Sequence, residues 1–548
     1  MKQLLLTLGF VAISLFSFSQ KLKKAEKQIV ANLQSHIGFL ADDKLEGRRA
    51  GTEGEKKAMD YISGQFQKIG IQPKGTEGYF QPFEIYDGKT IDPATHLILN
   101  GHDLKAGKDF YPLAFSANGS VEAFPAISLK EENTPWFVNV GDILEDNEEN
   151  PHFDLVTFLR DMAVDYKKMG ATAMILYNIA GKEDNLVFNA KDRSELAPIP
   201  IVYITKATAT QYLKDASASI DLKMKVEIGK KFRTGHNVVG YIDNGAANTV
   251  VLGAHFDHLG YGEDGNSMLR TSEKLIHNGA DDNASGTAAM LELARLLKAT
   301  KSKTSNYLFI AFSAEELGLN GSKYYTENPT IDLKSVNYMI NMDMVGRLND
   351  STKALTVGGY GTSPVWGKLV NPGSKSYFVI KTDSSGTGPS DHTSFYRKDI
   401  PVLFFFTGLH TDYHRPSDDA DKVNYIGEMR IIQYIQSIIN GVNAEKSKLA
   451  FTKTRETQTT TSARFSVSLG VMPDYTYTGA GMRLDGISDG KAAQKAGLKA
   501  GDIITAIGPH SVSSVEGYMQ ALGKFKKGDK TTVKYKRGDT SGEVEVQF

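Results

Sequence analysis

Between Asn237 and about Ala444 the chain alternates short apolar runs with helical stretches, and this alternation limits the fold more than any other feature. VVGYI, TVVLGAHF, NYLFIAFS, VNYMINMD and PVLFFF are each bounded by polar loops, with SGTAAMLELARLLKA and other helical patterns between them. A strand that is apolar at nearly every position has to be covered on both faces. The expectation is therefore an α/β fold, with a mixed, mostly parallel central sheet sandwiched by helices. TVVLGAHF and NYLFIAFS, nearly continuous apolar runs, belong at its centre. Upstream, residues 29–40 read as a helix, and Gly47, Gly51 and Gly54 make LADDKLEGRRAGTEGE a loop. Ala58, Ile62, Phe66 and Ile69 then form one apolar stripe of a helix that Gly70 ends.

Two further textures flank this block. From residue 94 to 229, VEAFPAISL, WFVNVGDI, ATAMILYNI and IPIVYIT surround the helical LRDMAVDYKKMG, which reads as a separate β-rich module. The tail holds GMRLDGISDGKAAQKAGLKAGDIITAIG, a helical SVEGYMQALGKF, and the strands TTVKYKR and GEVEVQF. KTRETQTTTSAR, before it, is a polar linker. At 548 residues, two to four domains are expected. The divisions are a signal segment 1–19, an α/β domain in two parts (25–93 and 230–448), the insertion 94–229, a linker 449–464 and the tail 465–548.

The net charge of −1 and the lack of any long Lys/Arg run exclude a nucleic-acid or anionic-membrane binder. Lys2, the apolar Leu4–Phe16 and the small residues of Ser17-Phe18-Ser19 read as an export signal, implying a periplasmic or secreted protein. That run is too short to span a bilayer and no other stretch is long enough, so no membrane span is expected after cleavage. With no cysteine in the chain, disulfides, thiolate metal sites and Cys nucleophiles are all excluded. Any metal must be held by His and carboxylate. No Walker loop, Rossmann fingerprint or HExxH occurs. GISDG in the tail is a lone serine-hydrolase match outside any α/β block and is discounted.

Six segments carry the candidate chemistry: GAHFDH (His255, Asp257), GADDNASG (Asp282), SAEELG (Glu315, Glu316), NMDMVG (Asp343), SDHTSF (His392) and DYHRPSD (His414). Several follow apolar strands directly. Residues distant in sequence then gather at the carboxyl edge of one sheet. Imidazoles alternating with carboxylates suit divalent zinc, and a two-metal hydrolase needs a bridging carboxylate, capping ligands and a spare base. The neighbours Glu315 and Glu316 suit a split between base and ligand, and Asp257 can fix the tautomer of His255. Each feature alone has a plain reading: acidic pairs usually face solvent, and Asp281-Asp282-Asn283 could cap a helix. His258, His392 and His410 lie close to these segments. The remaining histidines read as surface or core residues.

Taken together, the segments resemble the dizinc aminopeptidase and glutamate carboxypeptidase family of metallopeptidases, over residues 25–93 and 237–444. The resemblance implies two Zn2+ or other divalent ions, with His255 and Asp343 on one, Glu316 and His414 on the other, and Asp282 bridging. It also implies Glu315 as general base, Asp257 as orienter, Tyr413 as oxyanion stabiliser, and a cis peptide bond at Asp282–Asn283. His392 is a candidate for a supporting or substrate-pocket role. The insertion resembles a protease-associated domain, and the tail resembles a PDZ domain through SLGVMPD and AGLKAGDIITAIG. The implied activity is removal of N-terminal residues from peptides, with peptide C-termini as possible PDZ ligands. The alternatives on the same fold are a carboxypeptidase, a glutaminyl cyclase and a receptor-like protein without catalysis.

Overall fold

The computed structural model describes residues 22–454 and 467–548, apart from 150–152, 181, 193, 270, 371–375, 446, 475, 476, 478, 488, 489, 514 and 527. The expected export signal and most of the expected linker lie outside the described residues.

Nine strands form the principal sheet. Its centre is parallel: Asn306–Phe312, Thr249–His255, Val336–Met342 and Val402–Phe406 lie side by side in that order. Antiparallel strands flank it, Ile228–Ile242 on one side and Ala354–Gly358 on the other. The apolar alternation works at residue level. Tyr307, Phe309 and Ala311 face one core while Leu308, Ile310 and Phe312 face the other. A strand side-chain period of two, with both faces buried, needs such a run.

One face is covered by the helices Lys24–Leu40, Glu53–Ile69, Gly286–Lys298 and Tyr425–Ala444, and the other by Asn320–Glu327 and His392–Tyr396. Ala58, Ile62 and Phe66 are buried as their spacing predicts, and Gly70 closes that helix in the left-handed conformation. Two expectations are corrected. The first helix begins at Lys24, five residues before 29, because the Glu26 carboxylate accepts the Lys23 N–H at 2.7 Å and caps a polar first turn. Gly54 lies inside a helix, where a Cβ would come within 1.9 Å of the Leu45 carbonyl, so it serves close approach instead of loop freedom.

Phe80–Ile91 and Ile228–Ile242 pair antiparallel, carrying the chain out of the main sheet and back. Between them lie two four-stranded sheets, each with its own apolar core. WFVNVGDI divides there into a strand, Pro135–Asn139, and a helix, Val140–Asp146, because Asn139 accepts the Gly141 N–H and starts a helix. The tail forms a six-stranded antiparallel sheet around Leu469, Val471, Ile504 and Val533. Lys323 of the main domain meets Asp474 of the tail at 3.3 Å, and Lys536 of the tail pairs with Glu195 of the insertion. No helix among the described residues is long and apolar enough to cross a membrane.

Candidate metal centre

The strand Thr249–His255 ends with His255 buried at the carboxyl edge, and Phe256 N–H bonds the Phe312 carbonyl at 2.9 Å. The chain then turns through Asp257. That carboxylate accepts the backbone N–H of Glu315 at 3.1 Å and of Glu316 at 3.4 Å, and lies 3.6 Å from His255 Nδ1. One buried side chain thus ties the ends of two adjacent strands together. The acidic pair itself follows Ala314, which has a positive φ of 55°.

Asp282 sits in a kinked segment before the helix Gly286–Lys298, and the Asp282–Asn283 peptide bond is cis. Asn283 Nδ2 donates to the Met342 carbonyl at 3.0 Å, while its Oδ1 accepts Gly286 N–H at 2.9 Å and Met344 N–H at 3.2 Å. Asp418 Oδ2 accepts the N–H groups of Asp281 and Asp282 at 2.9 and 3.0 Å. Asp343 follows its strand directly, with its N–H on the Phe405 carbonyl at 3.2 Å. His414, at φ 54°, engages the Asn266 carbonyl through Nδ1 at 3.0 Å, leaving Nε2 for the cluster.

These segments bring their donor atoms to one place. His255 Nε2 lies 3.4 Å from Asp282 Oδ1, 3.4 Å from Asp343 Oδ1 and 3.9 Å from Glu315 Oε2. His414 Nε2 lies 3.3 Å from Asp282 Oδ2 and 3.1 Å from Glu316 Oε2. Two groups of three could each hold an ion and share Asp282: His255, Asp282 and Asp343, and then Asp282 and Glu316 with His258. His258 and His414 both reach the second group. His258 Nδ1 meets Glu316 Oε1 at 2.8 Å, whereas His414 Nε2 faces both Asp282 and Glu316.

The donor set fits divalent cations. Among the described residues no Lys or Arg reaches the five carboxylates Asp257, Asp282, Glu315, Glu316 and Asp343 within ion-pair distance; their charged partners are histidines. Asp343 Oδ1 and His258 Nε2 are buried without hydrogen-bond partners. Packing so much negative charge away from water is costly unless a positive charge fills the gap.

The electrostatics separate the adjacent glutamates. Burial and the nearby Asp343, Asp391 and Glu316 charges raise Glu315 well above the usual carboxylate range, against the pull of His255. Burial also pushes Glu316 up, but His414 and the hydrogen bonds from His258 and His414 outweigh it and bring it to about 2. Asp282 falls well below the usual range because its hydrogen bonds to His255 and His414 outweigh burial. Burial lowers His255 and His414, yet the carboxylates around each raise both well above the usual imidazole range.

The cluster opens into a cleft lined by Met344, Pro389, Phe404, Phe406, Leu409 and Tyr413 besides the candidate metal-site residues. Tyr413 stacks on His414, ring centroids 3.9 Å apart, and burial with the surrounding carboxylates keeps its hydroxyl protonated. His392 does not line the cleft. It lies behind the wall, stacked on Phe404 at 4.5 Å, and burial lowers it to about 3. His410 contacts Asp281 at 3.2 Å. Three residues have structural partners here that their sequence segments did not single out. They are Arg48, Asp418 and Asp391, the last pushed up to about 7 by burial, within electrostatic reach of His255, Asp257 and Asp343. Asp418 and Asp391 lie inside the DYHRPSD and SDHTSF segments, and that position was the available signal.

Residues 237–439 match peptidase family M28, and residues 467–548 match the PDZ domain. The chain carries an M28 peptidase domain and a PDZ domain. The M28 match spans every candidate ligand from His255 to His414. Similar curated proteins include the aminopeptidase YwaD of Bacillus subtilis, 27% identical over 69% of this chain and 77% of its own length. An aminopeptidase of Pseudomonas aeruginosa is 27% identical over 66% of this chain and 67% of its own. Among solved structures, a zinc aminopeptidase from Bacillus subtilis is 21% identical, with TM-score 0.42, over 77% of this chain and 98% of that one. The glutaminyl cyclase of Porphyromonas gingivalis is 12% identical, with TM-score 0.40, over 75% and 98%.

Proposed function

We propose that this M28 protein is an exported dizinc aminopeptidase that hydrolyses the first peptide bond of a chain with a free N-terminus. The observation that carries the reading is one carboxylate facing two imidazoles: Asp282 Oδ1 is 3.4 Å from His255 Nε2, and Oδ2 is 3.3 Å from His414 Nε2. A bridging ligand of a two-ion site needs that disposition. The aminopeptidases among the curated relatives support the same activity. We assign His255 and Asp343 to one zinc, Glu316 and His414 to the other, and Asp282 to both. When bound, the zinc ions supply Lewis acidity and lower the pKa of a water from about 15.7 towards about 7.

The chain's own residues do the rest. Glu315, whose pKa burial raises, accepts the proton of the attacking water at its carboxylate and delivers it to the leaving amine as the C–N bond breaks. Asp257 holds the His255 ring and both glutamate backbones in register. The protonated Tyr413 hydroxyl donates to the carbonyl oxygen as it gains negative charge. The apolar wall of Met344, Phe404, Phe406 and Leu409 accepts an apolar first side chain. We read residues 94–229 as a protease-associated insertion that limits access to the cleft, and the PDZ domain as a site for peptide C-termini.

Replacing Glu315 tests the assignment. Glu315→Ala should keep its zinc and lose at least about 10²–10⁴ of kcat, the usual worth of a general base. Chelation should abolish cleavage of free peptides, and N-terminally blocked peptides should resist the untreated protein. An active, metal-loaded variant would refute the role of Glu315, and cleavage of blocked peptides at equal rate would favour a carboxypeptidase.

A further inference from the structure

We infer that Arg48 is a positioning residue for the metal centre, clamping the loop that carries His255 and Asp257 to the loop that carries Asp282. The residue is 1% exposed, and among the described residues its guanidinium donates only to backbone carbonyls. Nε bonds Phe256 O at 2.7 Å, between the ligand His255 and its orienter Asp257. Nη1 bonds Asn278 O at 2.6 Å and Nη2 bonds Gly279 O at 3.0 Å, at the entry to the Asp282 segment. Nη1 also reaches Leu40 O, at the end of the first helix. A planar fork with donors on three nitrogens can hold three chain segments at fixed separation, a geometry that the rotatable donors of a lysine do not preset.

Backbone contacts reinforce the clamp. His258 N–H bonds Arg48 O at 3.2 Å, Gly260 N–H bonds Gly47 O at 3.0 Å, and a Cβ on Gly47 would meet the carbonyls of Gly260 and His277 at 2.6 Å. Arg48 itself adopts φ 47°, a conformation that favours glycine, so this position keeps its side chain against a backbone preference.

The charge supplies the second half of the argument. Among the described residues Arg48 has no carboxylate at ion-pair distance, and a buried cation held only by carbonyls is costly. Its electrostatic partners are Asp257, Asp282, Asp418 and Glu316, all belonging to or supporting the metal centre. Burial lowers the guanidinium to about 10, so it stays charged at neutral pH and offsets part of the negative charge that the ligands concentrate. An arginine serving only to hold the first helix to the sheet would need neither this address nor this field.

The inference rests on the two-zinc reading, and one experiment on the full-length chain separates the two. Apo wild type, Arg48→Met and Arg48→Lys are titrated with zinc against a chromogenic chelator, and the thermal midpoint of each apo form is measured alongside. Wild type should take up two ions. Arg48→Met should bind zinc about 10–100-fold more weakly, the usual effect of losing a residue that orients ligands. Arg48→Lys, which keeps the charge but cannot fork, should fall between them, and it supplies the reading if the Met variant does not fold. Either variant binding zinc with wild-type affinity overturns the clamp, even if its apo form melts earlier. A wild type that takes up no zinc overturns the metal reading and the clamp with it.

Discussion

Asp257 shows how much can depend on one side chain that need not touch a metal. Its two oxygens are spent on the N–H groups of Glu315 and Glu316, and it faces His255 Nδ1. Asn in its place would turn an amide N–H₂ toward one of these donors. Asp257→Asn should therefore weaken zinc binding by about 10–100-fold, read by chelator competition. Unchanged affinity would mean that the carbonyl of Asp257, 3.2 Å from His255 Nδ1, suffices to fix the ring. His255, Glu315, Glu316 and Asp343 were legible because an apolar run announces its own terminus and the acid or imidazole that follows it, whereas Asp282 and His414 lie away from strand ends and were picked out by the resemblance of their segments. Arg48 was illegible for the opposite reason. It stands in a glycine-rich loop where a charged residue normally faces water, and nothing local reveals that four carbonyls close over it, three of them from two segments more than 200 residues away. Asp391 and His392 were exchanged in emphasis: the histidine drew attention, while its acidic neighbour lies within electrostatic reach of His255, Asp257 and Asp343.

At the scale of elements, the loop between the Thr249–His255 strand and the Asp282 segment joins the insertion to the metal centre. Asp264 lies between Arg49, at 2.7 Å, and Arg233, at 3.1 Å, with Lys191 of the insertion at 3.7 Å. Two residues on, Asn266 O meets His414 Nδ1. Burial pushes the Asp264 carboxyl up, but the Arg49 hydrogen bonds and the charges of Arg233, Arg49 and Lys191 hold it at about 2, below its ordinary 3.8. A depressed carboxyl contributes stability that is complete above its unfolded pKa and is lost as pH falls through the folded one. The loss should thus run from about pH 4 down to about pH 2 and amount to roughly 2 kcal/mol. Asp264→Asn should remove that part of the acid dependence, and denaturant titrations of both proteins across this window would show it. Parallel curves would mean the cluster is neutral to stability. Periodicity located the strands and helices well, but it could not find this loop's role, because ion pairs between segments leave no period in the sequence.

For the whole molecule, the relevant fact is that the cores are separate. The main sheet is covered on both faces by its own helices, the insertion has two small cores, and the PDZ tail packs around Leu469, Val471, Ile504 and Val533. The contacts between tail and main domain include the Lys323–Asp474 pair at 3.3 Å, with 19% and 5% of the side chains exposed. Asp474 also accepts from Arg483 Nε at 2.7 Å, so it keeps a charged partner without Lys323, and the pair adds little to cooperativity beside an apolar interface. Lys323 nevertheless lies on the helix Asn320–Glu327, which follows the Glu315-Glu316 turn, so it is one place where tail and candidate metal centre would communicate. Metal removal discriminates between independent and coupled units. An ion present at a hundredfold excess over its Kd stabilises the unit that binds it by about 2.7 kcal/mol, and only that unit. In a domain of this size such a loss lowers the midpoint by roughly 5–10 °C. Calorimetry with and without chelator should therefore shift the main-domain transition by about that much and leave the tail's transition in place. Lys323→Ala should move neither. If the two transitions shift together in the native chain and separate in Lys323→Ala, the tail is energetically part of the catalytic unit, and this one ion pair is the link through which a peptide bound to the tail would be sensed at Glu315.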